Sequence, residues 1–163
     1  MLKHYPTLAQ TRDNFRWDIP AYYNIGVDIC DKHADLAPDQ CAIVDVDVDG
    51  QATEYSFAQL RDRSNQLANA LSQTCTPGDR VAVLLPQCFE TAVAHVAITK
   101  MGGIALPLFT LFGPEALLHR LRDSGANTLI TNAASADIIA PLRSQLSDLK
   151  RIICIDGTPS GAE

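Results

Sequence analysis

Residues 77–109 read PGDRVAVLLPQCFETAVAHVAITKMGGIALPLF, and the order of signals in this stretch decides the fold. Pro77 and Gly78 stand where a type II turn favours them. The run from Arg80 to Pro86 is almost wholly apolar, the pattern of a strand buried on both faces. Phe89, Val93, Val96 and Met101 then recur at helical spacing, and Gly102 and Gly103 follow in the place of a C-terminal cap. The stretch closes on a second short strand, IALPLF at 104–109. Strand, helix and strand in this order predict a βαβ unit with parallel strands.

The same alternation continues towards the C-terminus. Gly113 and Pro114 open a helix as N-cap and first helical residue. Leu117, Leu118 and Leu121 form its inner face, and Gly125 stops it. TLIT at 128–131 is a further strand, Ala136 to about Leu146 a helix broken at its start or kinked by Pro141, and RIICID at 151–156 a last strand.

Towards the N-terminus, a short helix is expected over 25–33. In CAIVDVDVDGQATEYS, 41–56, Val44, Val46 and Val48 alternate with Asp45, Asp47 and Asp49. The turn at Asp49-Gly50 predicts an antiparallel hairpin of type I′. Ser56 and Gln59 form an S-x-x-Q capping box. The helix they start carries Phe57, Leu60, Ser64, Leu67, Ala68 and Leu71 on one face and runs to about Gln73. The expected fold is α/β, a mostly parallel sheet with helices on both faces, preceded by an antiparallel hairpin. Residues 1–24 read as an aromatic, irregular N-terminal arm that packs on something, 25–156 as the α/β unit, and 157–163 as a tail.

Composition narrows the function classes. The 163 residues are 47% hydrophobic and 20% charged, as in a soluble globular chain. With 13 Lys plus Arg against 19 Asp plus Glu, the net charge is −6, which argues against nucleic acid because phosphate neutralisation needs a basic face. Met101 to Pro114 is uncharged over 14 residues, yet a bilayer span needs about 20, and Pro107 interrupts it, so no membrane span is expected. The first residues lack an apolar leader segment, which points to the cytoplasm.

Local chemistry is sparse. Cys30, Cys41, Cys75, Cys88 and Cys154 are scattered without a C-x-x-C pair, so neither a metal site nor a disulfide framework is expected. Cys88 lies near a helix start, where a thiol pKa can fall, but a buried inert thiol is the simpler reading. His4, His33, His95 and His119 sit in no nucleophile or metal motif. Asp45 to Gly50 spells D-x-D-x-D-G, the opening of a calcium loop, but the twelfth position is Ser56, not a bidentate Glu, and the flanks alternate like strands. The first βα junction, LLPQCFET, holds no glycine, and G-x-x-x-x-G-K-[ST] is absent. No autonomous phosphate site is read from the sequence, and no catalytic residue is assigned.

The wording of these pieces resembles the N-terminal part of the adenylate-forming, AMP-binding enzymes, and within them the acyl-CoA synthetases. The resemblance covers about residues 22–156. Tyr55-Ser56-Phe57-Ala58-Gln59-Leu60 matches the family's first core motif, and Lys100 to Pro107 matches the K-x-G-x-x-x-x-P form of its second. NIGVDICDKHAD, 24–35, is similar to the entry of acetyl- and medium-chain acyl-CoA synthetases.

The resemblance implies a two-step ligase. ATP and a carboxylic acid give an acyl-adenylate and pyrophosphate, and the thiol of coenzyme A then displaces AMP, with Mg²⁺ offsetting phosphate charge. The family's Ser/Thr/Gly-rich phosphate loop ending in Lys, its later aromatic and acidic motifs and its C-terminal Lys are not in this sequence. Ser160-Gly161 resembles the start of that loop, but Ala162-Glu163 does not continue it. The chain is therefore expected to be an inactive fragment of such a ligase, binding no cofactor itself, with both core motifs serving structure. In FTLFG, 109–113, some relatives carry a basic residue that meets coenzyme A. This chain has Thr110, Leu111 and Phe112 instead, of which Thr110 and Phe112 are the candidates to line the thiol channel. The alternatives are a complete non-catalytic binding or regulatory module and, last, a small flavodoxin-like ligand-binding protein. A fragment would also expose an apolar surface and self-associate.

Overall fold

The structure, a computed structural model, describes residues 4–157. Its elements are α1 (Leu8–Asn14), a π-helical turn (Val27–Asp31), α2 (Lys32–Leu36), β1 (Cys41–Val46), β2 (Ala52–Ser56), α3 (Phe57–Leu71), β3 (Arg80–Leu84) and α4 (Phe89–Lys100). They continue with β4 (Ile104–Pro107), α5 (Pro114–Ser124), β5 (Thr128–Thr131), α6 (Ala133–Ile139), a 3-10 turn (Ala140–Gln145) and β6 (Arg151–Cys154).

Four strands form a parallel sheet in the order β4-β3-β5-β6, and β1 and β2 pair antiparallel as a separate ribbon. Successive strand residues face opposite sides. Val81, Val83 and Ile130 therefore meet Ala68, Leu71, Ala94, Ala97 and Ile98 of α3 and α4. Ala82, Leu84 and Leu129 meet Leu117 and Leu121 of α5 and Ile139 of α6 on the other side. Helices on both faces explain why 81–85 and 128–131 are buried without alternation.

Most caps stand where the sequence places them. Ser56 Oγ accepts from the Gln59 backbone N–H at 3.3 Å and Gln59 Oε1 accepts from the Ser56 N–H at 2.8 Å, a closed capping box. α4 ends in a Schellman arrangement. Gly103 N–H donates to Ile98 O at 2.8 Å and Gly102 N–H to Thr99 O at 3.1 Å, with Gly102 at φ +78°. Gly113 and Pro114 open α5, and Gly125 closes it at φ +60°.

Four expectations need correction, and the structure decides which way the alternating side chains of the hairpin face. The hairpin does not close on a two-residue type I′ turn, because Asp49 has a negative φ and only Gly50 is left-handed, at +79°. Instead Gly50 N–H donates to Asp47 O, and the Asp47 carboxylate accepts from the Asp49 and Gln51 amides at 2.9 and 2.8 Å, a three-residue loop whose left-handed glycine restores the strand twist. Val44 and Val46 face solvent while Asp45 turns inward, for the reason given below. The first helix runs past His33 to Leu36 and contains the π turn, which aligns Gly26, Cys30 and Ala34 on its buried face. The last helix begins at Ala133, because Asn132 Oδ1 accepts from Ser135 N–H at 2.9 Å, and Pro141 turns its second half into 3-10 geometry. The arm is not wholly irregular, because 8–14 form α1, whose Thr7 Oγ1 accepts from the Gln10 N–H at 3.2 Å, although α1 buries no residue and Trp17, Ile19 and Tyr22 are exposed. Ser160-Gly161 and most of the tail lie outside the described residues.

Candidate functional site

In an open parallel sheet, ligands bind outside the carboxyl ends of the strands, where successive connections leave for opposite faces. Here β3 leads into α4 on one face and its neighbour β5 into α6 on the other, so the crevice lies between 85–88 and Asn132. The loop after β3 is tied back by Thr91 Oγ1, which donates to Pro86 O at 2.6 Å.

A phosphate would enter such a crevice through free helix N-termini. Both are capped by the chain's own carboxylates. The Phe89 N–H at the start of α4 donates to Asp45 Oδ2 of β1 at 3.1 Å. The Ala133 N–H at the start of α6 donates to Asp156 Oδ1 at 2.7 Å. Each carboxylate satisfies one of its helix's orphan amides and complements the helix dipole. These two caps were not legible in the sequence, because neither partner is a local neighbour.

Cys88 is the N-cap of α4 and is half-buried, not enclosed, with its Sγ 3.4 Å from Thr91 Oγ1. Among the described residues, no group of three or more His, Cys, Asp or Glu side chains could hold a metal ion.

The loop after β4 emerges at the same end. Leu108 is buried and its N–H extends the strand pairing to Val83 O at 2.8 Å. Phe112 N–H then donates to Phe109 O at 3.0 Å, closing a turn that leaves Thr110 half-buried and Leu111 exposed. Phe112 packs on the α5 side of the sheet and meets Phe109 edge-on, ring centroids 5.9 Å apart. The Arg120 guanidinium of α5 lies 4.0 Å above the Phe112 ring. A cation thus stands beside a loop that has no basic residue of its own, a placement hidden in the sequence by the intervening helix start. An open depression of about 540 Å³ lined by Glu115, Leu118, His119, Arg122 and Asp123 is unrelated to the crevice and follows the outer face of α5.

Both core motifs turn out to brace α4. Tyr55 stacks on Phe89 with centroids 3.8 Å apart, and Phe57 stacks on His33 at 4.9 Å. Lys100 has only 7% of its side chain exposed. Its ammonium donates to Ser64 Oγ at 2.9 Å and Asn65 Oδ1 at 2.7 Å and lies 2.5 Å from Asp31 Oδ1. The neighbouring Cys30 thiol is pushed above its ordinary pKa by burial, with the Lys100 charge opposing.

A sequence model of the AMP-binding enzymes matches residues 30–163. Among curated proteins, the human acyl-coenzyme A synthetase ACSM3, mitochondrial, is 31% identical over 146 residues, 85% of this chain and 24% of that protein. The acetyl-coenzyme A synthetase of Halorhodospira halophila is 35% identical over 111 residues, 67% of this chain and 17% of its own length. Among solved structures, the acyl-CoA synthetase of Brucella canis superposes with a TM-score of 0.75 at 29% identity, over 86% of this chain and 25% of that one. The N-terminal domain of FACL13 from Mycobacterium tuberculosis gives 0.74 at 27% identity, over 82% and 34%. The chain spans 24–27% of the length of the ACSM3 proteins it matches. No helix among the described residues is long and apolar enough to cross a membrane. By the family match and the shared fold, the chain belongs to the AMP-binding enzyme family, and its relatives there are acyl-CoA synthetases.

Proposed function

We propose that this chain is the opening portion of an acyl-CoA synthetase that converts a carboxylic acid and ATP to an acyl-adenylate and passes the acyl group to coenzyme A, and that these 163 residues alone are inactive. The reading is carried by one observation: a family match over residues 30–163 in a sequence without the family's phosphate loop.

The chain's own contribution is placement. Thr110 and Phe112 line the path of coenzyme A, and Arg120 supplies beside them the positive group that the loop lacks. ATP and Mg²⁺ are handled by residues outside this sequence. The exposed apolar side chains of the hairpin and arm make the isolated chain self-associate.

The test starts from the natural gene product. Its intact mass, set against 17.7 kDa, separates the readings. A much heavier product that releases AMP from ATP only with an organic acid and coenzyme A supports the ligase. A product of the same mass leaves a binding or regulatory module. AMP release by the 163-residue chain itself would overturn its inactivity.

A further inference from the structure

We propose that residues 24–36 are a strap that opens as a unit from the α3–α4 pair while the sheet stays folded, and that Lys100 is its fastening. The strap has little apolar hold on the body. Its fully buried residues are Gly26, Cys30 and Ala34, whose small side chains remove little area from water. Its large apolar residues face solvent, with Ile25 51%, Val27 43%, Ile29 48% and Leu36 85% exposed.

Beside the stacking of His33 on Phe57 at 4.9 Å and the exposed Arg61–Asp35 pair at 3.2 Å, worth little in water, what holds it converges on one residue. Asn24 Nδ2 donates to the Lys100 carbonyl at 2.9 Å. Gly26 packs so closely on the Lys100 stem that a Cβ there would stand 2.5 Å from Lys100 Cγ. The Asp31 carboxylate, 23% exposed, faces the ammonium, and its buried Oδ1 has no aligned hydrogen bond, so the Lys100 charge 2.5 Å away is the one that compensates that oxygen. Removing one partner of such a pair leaves an uncompensated buried charge.

The opposite side of the fastening survives opening. Lys100 keeps Ser64 and Asn65 of α3 as partners when Asp31 leaves, so the ammonium is not orphaned. The far end of the strap is hinged, because Pro38 O and Gln40 O accept from the Ala58 and Phe57 amides at 3.0 Å. The arm ahead of it moves with the strap, since Tyr23 Oη donates to Asp28 at 2.7 Å, a residue of the strap itself. A segment with few buried apolar contacts belongs to the low-stability end of the molecule.

Native-state hydrogen exchange, resolved by residue, tests this. In the unaltered chain, strap amides 28–36 exchange through an opening that leaves 81–84 and 128–131 protected. Lys100→Met speeds exchange in the strap by about a hundredfold or more and leaves the sheet unchanged. Equal exchange of strap and sheet in the unaltered chain, equal acceleration of both in the variant, or no acceleration in either overturns the proposal. Should Lys100→Met fail to fold, Asp31→Asn, which keeps the shape and removes the charge, is read by the same outcomes.

Discussion

The Asp45 carboxylate accepts from the Phe89 backbone N–H at 3.1 Å, and by this bond a strand of the hairpin caps a helix 44 residues later in the chain. Tyr55, on the partner strand, stacks on the Phe89 ring within 6° of parallel. The hairpin therefore holds the first turn of α4 by its backbone and by its side chain. Asp45→Ala should lower unfolding free energy by about 1 kcal/mol, the ordinary worth of an N-cap, with the denaturant m-value unchanged. Asp45→Asn, which keeps an acceptor, should recover most of that. An Asp45→Ala variant as stable as the parent would show the cap to be without consequence.

Gly102 holds φ +78° at the end of α4, and a Cβ there would meet Pro77 Cβ at 3.3 Å. Gly102→Ala should cost about 1–2 kcal/mol in equilibrium unfolding, the penalty of a left-handed L-residue. Gly102→Asn should cost less, because Asn tolerates that region better. Equal costs would mean that contact with Pro77 outweighs the backbone.

Burial holds His95 below its ordinary pKa of 6.5. The unfolded chain then binds the proton more readily than the folded one, so this group's contribution to stability is complete above pH 6.5 and is lost as pH falls through the folded pKa. An imidazole titration followed by NMR should place His95 below a free histidine. His95→Gln should flatten the stability profile on the acid side of that range. A midpoint at or above 6.5 would refute the burial effect.

In the natural product, Arg120→Ala should raise the KM for coenzyme A several-fold while leaving ATP–pyrophosphate exchange unchanged, because adenylation does not use the thiol substrate. Phe112→Leu should act in the same direction by removing the ring beneath the guanidinium. A loss confined to adenylation would move both residues out of the coenzyme A path.

Sedimentation of the 163-residue chain should show larger species as concentration rises. Val44, Val46 and Trp17 are exposed by 53%, 58% and 80% and are the apolar side chains proposed to drive this. Replacing the two valines by Thr should shift the distribution towards monomer. A strictly monomeric parent at high concentration counts against the exposed surface as an association site.

Much of the fold is local and was readable. The closed box of Ser56 and Gln59, the paired glycines after α4 and the Gly113-Pro114 helix start each join residues within a turn of one another, so the sequence spells them out. The apolar runs of β3 and β5 likewise announce strands covered on both faces. The candidate site was less legible. Thr110 and Phe112 could be placed in a loop after a strand, but the guanidinium over Phe112 comes from the next helix.

Sequence by itself determined the succession of strands and helices from β1 to β6, several of their caps, and the βαβ repetition that makes the sheet parallel, because these rest on periodicity and on backbone demands met by near neighbours. Tertiary structure alone decided which face of the hairpin is buried. Alternation leaves the facing open, and the inner face is the one carrying Ile43, which with Tyr55 packs on the Phe89 and Val93 cluster, and Asp45, which accepts from the Phe89 amide, while Val44 and Val46 face solvent. It also decided that Lys100 meets Asp31, Ser64 and Asn65, as a charge deep in the fold must find partners wherever packing brings them, and distance along the chain carries no record of that.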